Sequence, residues 1–377
     1  MNPVEQYLSE KLNKRTQAGN LRSLSLPVPG IDFFSNDYLG LVTTGILQDL
    51  MQDSHKNFAT GSKGARLIAG NSKEIEELES FIASFHSGKA ALLFNSGYNA
   101  NTGLISAITS RHTVILYDEL CHASIIDGMR LSQTEQVYKF RHNDLNDFRE
   151  KIQKYKDGNP LLIITESVFS MDGDLAPLAE MAELANENDA QLIVDEAHAT
   201  GVVGEHGEGL VCALGLQQQV FATVYTFGKA LGCHGAAVVG SDLLKQYLLN
   251  FSRSFIFTTA LPPHAIAAAT FAYQYLASPQ FSNRSLHELV TYFRQRIKEH
   301  GHTGWKDSTS PIQVFITGSN EKSKNLSAIL QEKGLQVKAI LNPTVPLGSE
   351  RLRVCLHSFN TKEQVDLLVD AVNEKMH

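Results

Sequence analysis

Seven short apolar runs between residues 90 and 240 constrain the fold more than any other feature of this chain. They are AALLFN (90–95), TVILYD (113–118), VYKF (137–140), LLIITESV (161–168), QLIVDE (191–196), ATVYTF (222–227) and GAAVVG (235–240). Most are continuous rather than alternating, as expected of strands buried on both faces of a largely parallel sheet. Helical patterns lie between them. One covers 74–85, with Ile75, Leu78 and Ile82 on a single stripe, and another covers 178–188, directly after Pro177. This alternation predicts an α/β domain, doubly wound around a mainly parallel seven-stranded sheet.

The last third changes character. Helical stretches near 284–300, 321–333 and 362–376 surround three short strands at 311–317, 336–341 and 351–357. That pattern predicts a smaller C-terminal α+β domain. The expected division is a helix and lead-in segment over 1–40, a large α/β domain over 41–272 and a small domain over 273–377. The junction is expected near Pro262 and Pro263 and the alanine-rich helix after them.

Composition narrows the function classes. With 377 residues, 43% of them hydrophobic, the chain can bury a large core, and its length predicts two or three domains. A formal net charge of −7 argues against nucleic acid as a partner, because phosphate backbones select a basic face. No run approaches the roughly 20 apolar residues of a membrane span. The opening MNPVEQYLSEKLNKR is charged and helix-like, unlike a signal peptide. Cys121, Cys212, Cys233 and Cys355 show neither metal-ligand spacing nor a disulfide framework. The expectation is a soluble cytoplasmic protein without a metal.

In open α/β sheets, ligands bind outside the carboxyl ends of the strands. The polar residues of this chain cluster there. Asn95-Ser96-Gly97-Tyr98 follows the first run, Asp118-Glu119 and His122 the second, and Glu166 and Ser170 the fourth; Asp195 with His198 and Thr226 with Lys229 end the next two. Five such ends are more than packing requires. Lys229 sits on TFGKALG (226–232), a turn whose small neighbours let a flat ligand approach the backbone. A lysine placed in this way can lose its proton and attack a carbonyl, as an enzyme holding pyridoxal phosphate requires.

The other residues have matching jobs. Asp195 would keep a pyridine nitrogen protonated, so that the ring draws in electrons. His198 would reach the ring hydroxyl, and His122 would lie over the ring face or cap the next helix. The amides of Gly97 and Tyr98 open a helix whose N-terminus attracts phosphate. Ser170 and Thr226 offer hydroxyls nearby. A dry pocket and a neighbouring cation would lower the pKa of Lys229 enough for it to move protons.

Two nucleotide readings fail. DEAHATG (195–201) resembles a helicase magnesium box, but no GxxxxGK[ST] loop accompanies it, since Ala230 follows Gly228-Lys229. The glycines of GSKGARLIAG (61–70) miss the GxGxxG spacing and follow no predicted strand.

The motifs FFSNDYLGL (33–41), FNSGYNANTG (94–103), DELCHASIIDG (118–128), ESVFSMDGDLAPL (166–178), DEAHATG, TFGKALG and PTVPLGSERLRV (343–354) resemble those of the α-oxoamine synthases. The resemblance covers essentially the whole chain. It implies a fold-type I pyridoxal phosphate transferase that condenses an amino acid with an acyl thioester and releases carbon dioxide. FNSGY, CHASIIDG and RHND (141–144) are most similar to the members that join L-alanine to a pimeloyl thioester in the biotin pathway.

The same resemblance assigns residues. Lys229 corresponds to the Schiff-base lysine, Asp195 to the partner of the pyridine nitrogen, His198 to the hydroxyl partner and His122 to the stacking histidine. Gly97, Tyr98, Glu166, Ser170 and Thr226 correspond to cofactor-binding positions. Arg353 is similar to the arginine that grips the amino-acid carboxylate, and Arg22, Asn36 and Thr344 match substrate-side positions. The family's active sites lie between two subunits of a homodimer, which implies that Thr258 or Thr259 of FTTALPP (257–263) reaches a neighbour's phosphate. Coenzyme A or an acyl carrier protein would deliver the acyl group.

The chain departs from the family pattern at several points. GSKGAR (61–66) replaces GSGGSR, bringing Lys63 and Ala65, and Leu341 stands where some members carry an arginine. HSFN (357–360) follows Arg353 in place of the commoner tail, and the stretch before DFFSNDYLG is short. A glycine C-acetyltransferase-like sibling, a long-chain acyl synthase, a fold-type I aminotransferase and a cofactor-binding scaffold without activity are the rival readings. The aminotransferases usually stack another aromatic ring where His122 stands. The scaffold reading conflicts with the joint presence of Lys229, Asp195, His198 and Arg353.

Overall fold

A computed structural model describes residues 1–24, 26, 29–53, 58–301 and 303–374. Pro27 and Val28 of the lead-in segment lie outside the described residues. The chain forms two compact units, one of 36–170 with 174–284, the other of 1–35, 171–173 and 285–377.

The first unit holds the predicted seven-stranded sheet. Its strands are β1 (Ala90–Phe94), β2 (Val114–Asp118), β3 (Val137–Phe140), β4 (Leu161–Glu166), β5 (Gln191–Asp195), β6 (Val220–Thr226) and β7 (Ala236–Gly240). They lie in the order β1-β7-β6-β5-β4-β2-β3. β7 runs antiparallel to both of its neighbours, and the remaining pairs are parallel. The reason lies in the chain between β6 and β7. Only residues 227–235 connect them, and a parallel crossover needs a dozen or more. That short return carries Lys229. Six strands therefore deliver their carboxyl ends, and β7 its amino end, to a single edge of the sheet.

Local chemistry starts the helices that cover this sheet. Ser96 caps the helix Gly97–Ile108 by accepting from Asn99 N, and Asp144 caps Leu145–Tyr155 by accepting from Asn146 N and Asp147 N. The helix Leu178–Glu187 starts right after Pro177, as its sequence predicts. Leu92, Leu104, Ile115, Ile125, Ile164, Ile193 and Val238 join strands and helices in one buried cluster. Burying a side chain of this kind contributes roughly 1.5–3 kcal/mol, so the apolar runs hold the strand ends in place.

The second unit is α+β. Its antiparallel sheet of β8 (Ile312–Ile316), β9 (Lys338–Ile340) and β10 (Arg351–Cys355) has the order β9-β10-β8. Helices Asn320–Glu332 and Lys362–Asn373 accompany it, close to their expected bounds. Residues 1–35 of the expected 1–40 segment belong here, and 36–40 belong to the α/β unit. Ile31 and Asp32 pair in parallel with Leu335 and Gln336, and Asn20 Nδ2 donates to Asn342 O at 2.9 Å. The compact α/β unit extends to Arg284, beyond the 272 expected from sequence.

Among the described residues, no helix is long and apolar enough to cross a membrane, and no group of three or more His, Cys, Asp or Glu could hold a metal ion.

Candidate active site

The strand ends of the α/β unit enclose a cavity of about 190 Å³. Its lining includes eight residues singled out from sequence: Gly97, Tyr98, His122, Glu166, Asp195, His198, Thr226 and Lys229. Parallel pairing explains how they meet. Glu166 and Asp195 are register partners at the ends of β4 and β5, and Asp195 is in turn beside Val224 of β6.

Asp195 is buried, and both of its oxygens accept a hydrogen bond. Ala197 N donates to Oδ1 at 2.9 Å and Asn101 Nδ2 to Oδ2 at 2.7 Å. These two donors fix the orientation of the carboxyl group. Glu166 behaves in the opposite way. Burial first, and then the neighbouring charge of Asp195, push its carboxyl well above the usual range, although Lys229 and the donated His122 N–H oppose this. Two carboxyls thus face each other on adjacent strand ends, and burial makes the charged form of Glu166 the costlier one.

His122 caps the helix Ala123–Arg130, one of the two expectations for it, and it also lines the cavity. Its Nδ1 lies 2.7 Å from Ser124 Oγ and accepts from Ser124 N at 3.2 Å. Burial depresses its pKa; Asp195 acts to raise it, and the charge of Lys229 acts to lower it. His198 is buried, with Nδ1 2.8 Å from the hydroxyl of Tyr38, which also donates to Asn36 Oδ1 at 3.1 Å.

Lys229 stands half-buried on the turn after β6. Gly232 N donates to Lys229 O at 2.8 Å, and Cys233 N to Phe227 O at 2.8 Å, which closes the turn. Gly232 has φ +64, a conformation that costs a residue with a Cβ. The opening of the helix at Gly97 also requires a glycine, because a Cβ there would stand 2.4 Å from Thr226 Cγ2.

The remaining expected residues are not among those lining this cavity. Thr258 Oγ1 accepts from Asn95 Nδ2 at 3.2 Å, and Thr259 O accepts from the same amide at 2.8 Å. Neither they nor Ser170 are among the residues lining the cavity. Arg22, Thr344 and Arg353 belong to the α+β unit. There Arg22 Nη2 donates to Thr344 Oγ1 at 3.2 Å across 322 residues of sequence, while Arg353 is buried with Nη1 2.9 Å from Cys355 Sγ.

Sequence reasoning missed Asn101, Ser124, His234 and Tyr38. The first three line the cavity, and Tyr38 touches His198. A signal existed for two of them: Asn101 is one helical turn beyond Gly97, and Ser124 follows His122 by two.

These residues fit pyridoxal phosphate. Thr226 Oγ1 is buried without a hydrogen-bond partner among the described residues, beside the capped helix N-terminus, a place suited to an anionic oxygen acceptor. A fixed carboxylate, two imidazoles and a primary amine complete the set a cationic, phosphorylated pyridine calls for.

A family model described as aminotransferase class I and II matches residues 28–372. An 8-amino-7-oxononanoate synthase of Emericella nidulans is 40% identical over 97% of this chain and 94% of its own length. The 8-amino-7-oxononanoate synthase 2 of Bacillus subtilis is 38% identical over 99% of both. Among solved structures, serine palmitoyltransferase from S. paucimobilis superposes with a TM-score of 0.89 at 25% identity, over 99% of this chain and 98% of that one. An 8-amino-7-oxononanoate synthase from Francisella tularensis superposes with a TM-score of 0.78 at 30% identity, over 92% and 98%.

Proposed function

Because the chain belongs to the aminotransferase class I and II family, and within it to the α-oxoamine synthases, we propose that it joins L-alanine to a pimeloyl thioester. The products are 8-amino-7-oxononanoate, carbon dioxide and the free thiol carrier. The observation that carries this reading is full-length similarity near 40% to proteins of that name, in a chain whose strand ends gather Lys229, Asp195, His122 and His198 around one cavity. Bound pyridoxal phosphate supplies a sink for the electrons of a bond broken at the α-carbon of an amino acid.

The chain's residues do the remaining work. Lys229 would carry the cofactor and, once released, move a proton to and from the α-carbon. Asp195, fixed by its two donors, would hold the pyridine nitrogen in its protonated form. His122 would cover the ring, His198 would meet its hydroxyl, and the Gly97 and Tyr98 amides with Thr226 would receive the phosphate. Glu166 would buttress this site by accepting from His122 N, and Ser170 would add a hydroxyl. Arg353 would bind the substrate carboxylate, where a guanidinium fork suits two oxygens. Arg22, Asn36 and Thr344 would support the substrate side. We assign Thr258 and Thr259 to the phosphate of a second copy in a cytoplasmic homodimer.

A sibling reading, with serine or glycine as the amino acid, draws on the higher TM-score to serine palmitoyltransferase. Backbone likeness reports the shared fold, whereas side-chain identity tracks substrate chemistry, and identity favours the oxononanoate synthases.

Borohydride reduction followed by peptide mass spectrometry tests the cofactor site, with a pyridoxyl adduct expected on Lys229. An adduct on another lysine, or on none, ends the cofactor reading. Spectral titration with alanine, glycine and serine, followed by coenzyme A and carrier-protein thioesters of graded length, tests the substrates. Preference for glycine with acetyl-coenzyme A would remove the oxononanoate assignment and leave the family intact.

A further inference from the structure

Behind the cavity, one buried polar chain joins its two ionisable ends, running from His122 Nδ1 through Ser124 Oγ and Asn101 Nδ2 to Asp195 Oδ2. The steps measure 2.7, 3.0 and 2.7 Å. Ser124 is 0% exposed and Asn101 2%, so no water competes for these groups. The direction of every hydrogen can be worked out.

A carboxylate only accepts. Asn101 must therefore turn its NH₂ toward Asp195, and its second N–H goes to Ser124 Oγ. Ser124 is thus an acceptor on that side, and its single hydroxyl hydrogen is free to point at His122 Nδ1. The backbone N–H of Ser124, which can only donate, points at the same nitrogen at 3.2 Å. A ring nitrogen that accepts from two donors carries no hydrogen. The proton of the neutral imidazole then resides on Nε2. Burial, which depresses the pKa of His122, favours this neutral form.

We propose that Asn101 and Ser124 are positioning residues that lock His122 as its Nε2–H tautomer while fixing the orientation of the Asp195 carboxyl group. One amide sets the polarity at both ends of the chain. His122 can then present a hydrogen-bond donor to an anionic or carbonyl oxygen from its Nε2, and Asp195 keeps one fixed orientation toward the cavity. The assignment deepens the reading of the cavity as a cofactor site and rests on it for its purpose, though not for its test.

The test is ¹⁵N-histidine NMR on the full chain, with and without pyridoxal phosphate, His122 being assigned by comparison with His122→Gln. The expected wild-type pattern is an unprotonated Nδ1 and a protonated Nε2, already present without cofactor. Ser124→Ala leaves the 3.2 Å backbone bond alone at Nδ1, and Asn101→Ala frees the serine hydroxyl to turn. Each should give the Nδ1–H form a measurable share and lower kcat/KM about ten- to hundredfold, less than the roughly 10²–10⁴-fold of losing an acid–base group outright. Circular dichroism of both variants separates this from misfolding. A wild-type His122 protonated on Nδ1 overturns the proposal even if the variants fold poorly. A wild-type tautomer unchanged in both folded variants does the same. Finding the expected tautomer in a protein that never binds pyridoxal phosphate would instead sink only the cofactor reading.

Discussion

His142, the second residue of RHND, makes stability depend on pH in a calculable way. Its Nδ1 lies 3.0 Å from Asp118 Oδ1 and its Nε2 2.7 Å from Asp174 Oδ2, with the ring edge-on to Phe169 at 4.4 Å. The side chain is 16% exposed and that of Asp118 1%. Burial alone would lower the pKa of His142, but the hydrogen bonds to Asp118 and Asp174 outweigh it and push the value up to about 10. The folded value thus exceeds the unfolded one, near 6.5. Stability from this group is fully present below pH 6.5 and is lost as pH rises through about 10. A difference of about 3.5 units corresponds to roughly 5 kcal/mol, released at about 1.4 kcal/mol per pH unit.

His142→Gln retains a donor but removes the charge. Urea unfolding of the wild type and the variant at about pH 6, 8 and 10.5 should show a gap of several kcal/mol at the lowest pH that closes at the highest. Histidine NMR should place the His142 titration far above the ordinary range. A His142 that titrates near 6.5, or a gap that stays flat with pH, would refute the two-carboxylate clamp.

Three further outcomes concern the site. Gly97→Ala forces a Cβ to within 2.4 Å of Thr226 Cγ2; overpacking of that kind costs about 1–3 kcal/mol. Cofactor retention, followed by absorbance during dialysis, should fall, and unchanged retention would contradict the close approach. Asp195→Asn should still bind pyridoxal phosphate but lose about 10²-fold or more in turnover, roughly 2.7 kcal/mol; near-normal turnover would remove its role. Arg353→Ala should keep its cofactor and bind alanine about ten- to two-hundredfold more weakly, the loss of one charge-assisted contact. Spectral titration decides this, and wild-type affinity would show that Arg353 does not hold the carboxylate.

The sequence by itself determined the strands, most of the helices and the edge of the sheet where the polar residues gather. Continuous apolar runs have one physical solution, a sheet covered on both faces, and side chains such as Ser96 and Asp144 cap helices through neighbours only two or three residues away. The gathering of Lys229, Asp195, His198 and His122 at one cavity was legible because Asp195 closes a run and the other three follow the end of one. The length of 227–235 already required β7 to return antiparallel, a local signal that the apolar pattern obscured.

Tertiary structure decided the lateral order of the strands, and with it the partners of the site residues. Asn101 meets Asp195 across 94 residues and Tyr38 meets His198 across 160. Nothing in the spacing of either pair encodes the meeting. The two-residue parallel pairing that ties Ile31 to Leu335 is too short to leave a periodic trace. Hydrophobic burial is set by composition over a window of neighbours, and so can be read along the chain. A hydrogen-bond partner is chosen by which strands lie side by side and which way a buried amide turns, and both are properties of the packed structure alone.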